Sequence, residues 1–332
     1  MRFAFSAEQR QFGTSLDDLL SDVDVESAAR RWAAGEHEPG LKLWWRLAEI
    51  GVPALAVPEH RDGLGAGAVD VALAFERLGY HGVPGPWVDT AAVLPALLDD
   101  ELLAGVAAGE TLASLRWDPH VPYALDADVA DTRIAVEDGT LRVFTPGRRL
   151  SSVAQARRLF GSTVGDAIAT CADTGRAFDW GVLATSAQLL GAGRWLLERS
   201  VEYARQRRQY GRAIGEYQAI KHLLADVATR LELAEPLLYG AAVAMAAGGK
   251  NVENLGRGHL ARDVSAAKVA AADAAYLAAR TGLQVHGAIG YTAEHPLGRW
   301  LATVRALAGA WGTQAFHRRR VLGAVTAGRR SR

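Results

Sequence analysis

Four arginines, Arg205, Arg207, Arg208 and Arg212, crowd around the tripeptide Gln209, Tyr210, Gly211. A guanidinium makes charge-assisted, geometrically fixed hydrogen bonds to phosphate oxygens, so this cluster suits an anionic ligand. A second block, LQVHGAIGYTAEHPLGRW (283–300), sets Gln284 ahead of Gly287, Ala288 and Gly290. Glycine lets a diphosphate approach backbone N–H groups with no Cβ in the way. Each block also has a plainer reading. Gln-Tyr-Gly after a basic helix fits a helix C-cap, the arginines fit a solvated face, and the glycines fit close helix packing. His286 and His295 read as packed or exposed histidines rather than ligands. Cys171 is the one cysteine, which excludes a disulfide framework and a cysteine-ligated metal site, and no metal is expected.

These residues need rigid elements to hold them. From about residue 174 the chain reads as helical. Apolar residues at 220, 223, 224, 227, 231, 234, 237 and 238 keep a helical rhythm that buries one stripe. The alanine-rich stretch 264–283 is apolar on most faces and reads as a central helix of a bundle, with Gly282 and Gly287 loosening its end. Upstream, TLASLRW, RIAVED and LRVFTP are short apolar or alternating runs, and Asp138-Gly139 marks a hairpin between the last two. The first hundred residues read as helices: Ser6 and Gln9 spaced as a capping box, a helix stopped by Gly51, and another from Val69 to Leu78 stopped by Gly79. The expected organisation is mainly α: an N-terminal helical domain (1–110), a shortened β domain (111–173) and a C-terminal four-helix bundle (174–332).

With 332 residues, 49% hydrophobic and 22% charged, the chain is globular and longer than one ordinary core. Its 37 basic and 37 acidic residues balance, so no nucleic-acid partner is indicated. No uncharged run of about 18 apolar residues occurs, so no membrane span is expected. The start, MRFAFSAEQRQF, lacks the basic-then-apolar order of a secretory signal, and a cytoplasmic location is expected.

Three blocks, in order, resemble the acyl-CoA dehydrogenase family. GVPALAVPEHRDGLGAG with FERLG after it resembles the family's N-terminal G-L-x-x-P-E-x-x-G-G-x-G. Arg207, Gln209, Tyr210 and Gly211, then Tyr217 and Gln218, then Leu224, Ala225 and Asp226 are similar to its R-x-Q-F-G, F-Q and L-A-D. The 283–300 block looks like Q-x-x-G-G-x-G-Y followed by proline. The resemblance implies an acyl-CoA dehydrogenase-like fold and α,β-desaturation of an acyl-CoA thioester, with a Glu removing the α-proton and FAD accepting the β-hydride. It further implies that Arg207, Gln209, Tyr210, Gln218, Gln284, Gly287 and Ala288 hold the ADP end of an FAD whose ring sits mainly in a neighbouring subunit. Ala288 stands where the family usually has glycine.

The expected base is missing. The family usually places its Glu 21 residues after the last glycine of G-G-x-G, which here is Trp311. An alternative family position, in FDWGVLATSAQLLGAG, is Gly181, and Val182 replaces the usual neighbouring arginine. The middle domain also lacks the family's T-E-P-x-x-G-S-D loop and W-I-T strand; Trp117 and Trp180 are candidates for flavin stacking or for core packing. No catalytic residue is therefore assigned. The pattern implies the non-catalytic subunit of a heteromeric α2β2 acyl-CoA dehydrogenase. Its partner would be a longer subunit carrying the Glu, and its electron acceptor an electron-transfer flavoprotein or similar. Two alternatives stay open: a homo-oligomer with a relocated base (Asp179, Glu232 or Glu235), and a non-enzymatic assembly protein on the same fold.

Overall fold

In the computed structural model the described residues are 4–247, 257–292 and 295–330. The Ser6 hydroxyl accepts from the Gln9 amide at 3.2 Å, and the Gln9 side chain accepts from the Ser6 amide at 3.0 Å. This reciprocal box starts α1 (Ala7–Ser21). α2 (Val25–Ala34), α3 (Glu38–Glu49) and α4 (Ala68–His81) follow, α2 and α3 each opening onto a left-handed glycine, Gly35 and Gly51. Trp44 stacks on Trp87 at 3.8 Å in the centre of this helical layer.

α4 does not stop at Gly79. It runs to His81 and is capped by Gly82 at φ 66°. Gly79 instead faces α7 (Thr174–Gln206), where a Cβ would overlap the carbonyl of Gln188. Reciprocally, a Cβ on Gly191 of α7 would overlap the carbonyl of Glu76. The two glycines set a backbone-to-backbone crossing that no larger residue permits.

After a wide helical turn at Val88–Val93 come α5 (Leu94–Leu97) and α6 (Leu102–Ala107). The sheet has five strands: β1 (Ala113–Arg116), β2 (Ala124–Leu125), β3 (Thr132–Glu137), β4 (Thr140–Leu150) and β5 (Leu159–Thr170), ordered β1-β3-β4-β5-β2. β1 pairs with β3 in parallel and the other pairs are antiparallel. Asp138 (φ 47°) and Gly139 (φ 82°) form the expected two-residue hairpin turn, with Glu137 opposite Thr140. Buried side chains from the wide turn bond the open edge of β1: Asp89 accepts from the Leu115 amide at 2.9 Å, and Thr90 accepts from the Ala113 amide at 2.9 Å.

The C-terminal region packs α7 with α8 (Gln218–Ala247), α9 (Arg257–His286), α10 (Leu297–Gly309) and α11 (Gln314–Arg330). α9 presents Ala267, Ala271, Ala274, Ala275 and Ala278 to the interior, all buried. Gly282 does not loosen α9: the helix continues to His286, and a Cβ on Gly282 would stand 3.1 Å from the Ser200 hydroxyl of α7. Gly287, at φ 64°, follows the end of α9. Chain order is thus helical layer, small sheet, helical bundle.

Replacing Gly191 with Ala should cost about 1–3 kcal/mol or more through overpacking. Gly240→Ala, at a position in α8 where a Cβ meets nothing within 4 Å, should instead stabilise by about 0.5–1 kcal/mol. Urea midpoints of the two variants, moving in opposite directions, check the crossing.

Candidate functional site

α7 and α9 run in the same direction: a Cβ on Gly193 would stand 3.3 Å from Ala275, Gly282 faces Ser200, and His286 stacks on Tyr203. Their C-terminal ends therefore coincide, which brings the two candidate nucleotide-binding blocks to one end of the bundle. The Tyr203–His286 stack, 4.4 Å between centroids and 26° between planes, joins them directly.

Arg207 caps α7, its amide donating to the Tyr203 carbonyl at 2.8 Å. The Gln-Tyr-Gly tripeptide is not the helix cap. It belongs to a tight hairpin of β6 (Arg208–Gln209) and β7 (Arg212–Ala213), with Tyr210 (φ 51°) and Gly211 (φ 82°) at the tip. Two consecutive left-handed residues match the twist of such a hairpin. Tyr210 is 93% exposed. Behind the tip the Tyr217 hydroxyl donates to the Gln209 carbonyl at 3.1 Å, and the Arg212 guanidinium lies 3.9 Å from the Tyr217 ring centre. Arg205, Arg207 and Arg208 are exposed, and no carboxylate pairs with them among the described residues.

Gln218 is exposed at the first position of α8, and Gln284 is exposed on the last turn of α9. Gly287 and Ala288 begin an exposed 3-10 turn, Gly287–Tyr291, and nothing lies within 4 Å of where a Cβ on Gly287 would stand. His286 is buried; its Nδ1–H donates to the Gly282 carbonyl at 2.7 Å, and burial lowers its pKa. It and His295, whose ring lies 4.7 Å away, are packed histidines here. Exposed guanidiniums, exposed side-chain amides and a backbone turn with room at Gly287 suit the phosphate and adenosine end of a dinucleotide.

The two positions where the resemblance looks for a base lie at the other end of α7, against each other. The buried indole of Trp311, at φ 55°, fills the space over Gly181, where any Cβ would overlap it. Phe178 and Trp117 border this indole at 5.7 and 6.1 Å, and Phe316 lies 6.0 Å from Phe178. Trp117 and Trp180 are both partly buried and packed against the core.

A buried polar chain holds the Trp311 turn. Asp179 pairs with Arg320 at 2.7 Å, and Arg320 donates to the Ser265 hydroxyl at 3.2 Å. Ser265 then meets His317 Nδ1 at 3.1 Å, and His317 Nε2–H donates to the Trp311 carbonyl at 2.9 Å. Burial pushes the Asp179 carboxyl up while Arg320 opposes, and burial brings His317 down to about 4. Buried Lys268 donates to the carbonyls of Leu307 and Ala310 at 2.7 and 2.8 Å at the C-terminal end of α10, and burial holds its amine well below the usual lysine range. Sequence reading missed Ser265, Lys268, His317 and Arg320. Lys268 carried a signal, a basic residue set among the alanines and valines of 264–272.

The proposed relocated bases are engaged elsewhere. Arg194 holds Glu76, Glu232 and Glu235 at 2.9, 3.3 and 2.7 Å where α4, α7 and α8 meet, and Asp179 is held by Arg320. Buried Glu76 also accepts from the Tyr239 hydroxyl at 2.6 Å.

Comparison with known proteins bears on the family and the fold. Residues 6–99 match the acyl-CoA dehydrogenase N-terminal domain and residues 172–326 match the acyl-CoA dehydrogenase C-terminal domain. An acyl-CoA dehydrogenase, IpdE2, of Mycobacterium tuberculosis is 32% identical over 298 residues, 87% of this chain and 88% of that protein. Among solved structures, butyryl-CoA dehydrogenase from Megasphaera elsdenii superposes with a TM-score of 0.81 at 20% identity, covering 98% of this chain and 100% of that one. A chain of the ChsE4-ChsE5 complex from Mycobacterium tuberculosis gives 0.79 at 20% identity, covering 98% and 99%. The chain belongs to the acyl-CoA dehydrogenase family of flavoprotein oxidoreductases acting on acyl-CoA. Among the described residues no helix is long and apolar enough to cross a membrane.

His317 yields a pH test. Its folded pKa of about 4 lies below the ordinary histidine value of about 6.5, so the unfolded chain binds the extra proton and stability falls as pH drops from about 6.5 to about 4. His317→Gln lacks that loss. The stability gap between wild type and His317→Gln should therefore shrink across this window, as read from urea midpoints at stepped pH.

Proposed function

We propose that this chain is the non-catalytic subunit of a heteromeric α2β2, FAD-dependent acyl-CoA dehydrogenase. In this reading it holds the nucleotide end of its partner's FAD. The observation that carries the reading is the contrast between the ends of α7. At one end Trp311 and Gly181 occupy each other's space and offer no proton acceptor. At the other, Arg207, Gln209 and Gln284 are exposed donors with no covering segment among the described residues. At 1.5 Å per residue the two ends, Gly181 and Arg207, are about 39 Å apart, so they serve different places in an assembly.

FAD, when bound, supplies the acceptor for the β-hydride. This chain's share is binding: Arg207 would neutralise phosphate oxygens through a fixed fork, Gln209 and Gln284 would donate amide N–H groups, and the Gly287–Ala288 backbone would approach the diphosphate. Tyr210 and Gln218 border the same patch. The partner, a longer acyl-CoA dehydrogenase subunit, would contribute the Glu, the ring pocket and most of the thioester site. An electron-transfer flavoprotein or similar carrier would remove the electrons.

The surface supports assembly with another subunit. α8 and α11 expose Leu233 (63%), Leu237, Leu322 (62%) and Val325, and a cleft of ≈ 440 Å³ lies between α8, α9 and α11. Exposed apolar side chains on neighbouring helices suit burial against another subunit. The ChsE4-ChsE5 relative is, by its description, a complex of two proteins.

Purified alone, the chain should be colourless and inactive toward acyl-CoA. With its longer partner, flavin absorbance and acyl-CoA-dependent electron transfer should both appear. Arg207→Ala should weaken flavin retention by the complex about tenfold or more, the scale of one charged hydrogen bond lost. A chain that is yellow and active by itself, or a complex whose flavin content ignores Arg207→Ala, overturns the reading.

A further inference from the structure

A second basic site shares no residue with the Arg207 patch. It is a cleft of ≈ 530 Å³ between α2 and the loop joining β4 to β5. Arg30 comes from α2, Arg149 from the end of β4, and Arg157 and Arg158 from the loop; Ser151, Ser152 and Gln155 complete its polar lining, and no carboxylate lines it among the described residues. The volume falls within the roughly 300–1,000 Å³ typical of small-molecule sites.

The four guanidiniums are not equally engaged. Arg158 is buried and held by both oxygens of Asp128. Arg30 pairs with Glu26 at 3.1 Å on the surface, and Arg149 donates one bond, to the Ala33 carbonyl at 2.7 Å. Arg157 donates no side-chain hydrogen bond and makes no ion pair among the described residues. Behind it lie two buried carboxylates, Asp126 and Asp89, which act on its charge from beyond contact distance. Neither makes a direct ion pair with it among the described residues: Asp126 Oδ1 accepts from the Trp32 indole at 2.9 Å while its Oδ2 is buried without a hydrogen bond, and Asp89 accepts from the Leu115 amide at 2.9 Å. A partly buried guanidinium with unused donors costs desolvation energy that an anion in the cleft would recover.

We propose that this cleft binds a small molecule bearing a diphosphate, gripped by Arg149 and Arg157 with Arg30 at the rim. Two guanidinium forks from separate segments suit two linked phosphoryl groups better than one carboxylate, which a single fork already satisfies. The diphosphate comes either free, as inorganic pyrophosphate, or attached to a nucleotide. The inference stands apart from the subunit reading, because none of its residues belongs to the Arg207 patch.

Calorimetric titration of the full chain with pyrophosphate and, separately, with ADP tests it. Pyrophosphate should bind saturably, and Arg149→Ala and Arg157→Gln should each weaken binding about tenfold or more. Arg207→Ala should leave it unchanged, which separates this site from the proposed flavin-nucleotide patch. Arg149 is exposed, so its variant keeps the test sound even if Arg157→Gln fails to fold. Tighter binding of ADP identifies a nucleotide as the source, and equal or weaker binding identifies free pyrophosphate. Absence of saturable binding overturns the proposal, as does binding that Arg149→Ala leaves intact or that Arg207→Ala abolishes.

Discussion

How closely other helices approach α7 fixes nearly everything else in this protein. Gly79 and Gly191 bring α4 and α7 to backbone contact, Gly193 of α7 faces the Ala275 main chain of α9, and Gly282 of α9 faces the Ser200 hydroxyl of α7. Contacts between main chains cannot be relaxed by choosing another rotamer, so they set registers as well as distances. The register of α7 against α9 makes their C-terminal ends coincide, and that coincidence joins the arginine hairpin to the Gly287 turn. Near the N-terminal end of α7 the bare backbone of Gly181 receives the Trp311 indole. One helix thus carries an open donor surface at one end and a filled aromatic cluster at the other.

Much of the fold was legible because local chemistry and long-range packing agreed. Ser6 with Gln9, Asp138 with Gly139 and the alanines of α9 each signal a single structure, and each forms it. Glycine was the residue misread. Gly79 and Gly282 resemble stop signals in one dimension, yet both serve close approach between helices far apart in sequence, a use that local pattern does not encode. Gly82 and Gly287, with positive φ, follow the helix ends instead.

The site was legible in part for a related reason. Motif residues from 207 to 218 and 284 to 288 could be placed on one patch only once the parallel course of α7 and α9 was known. The chain from Asp179 through Arg320, Ser265 and His317 to Trp311 joins three helices and one turn, and no spacing rule reveals it. Its bonds run through buried polar groups, where an unpaired member is costly, so together they specify the left-handed turn at Trp311 and Gly312. The same economy explains why Glu232 and Glu235, attractive as free carboxylates in the sequence, are tied to Arg194.

The outer edge of β1 has one more consequence. Because Asp89 and Thr90 present side-chain oxygens where a neighbouring strand would present carbonyls, the amides of Leu115 and Ala113 are already saturated. A stray extended peptide finds no template there, so the small sheet is protected from edge-to-edge polymerisation by the helical layer itself. Losing either oxygen would strand a buried amide of β1 without an acceptor.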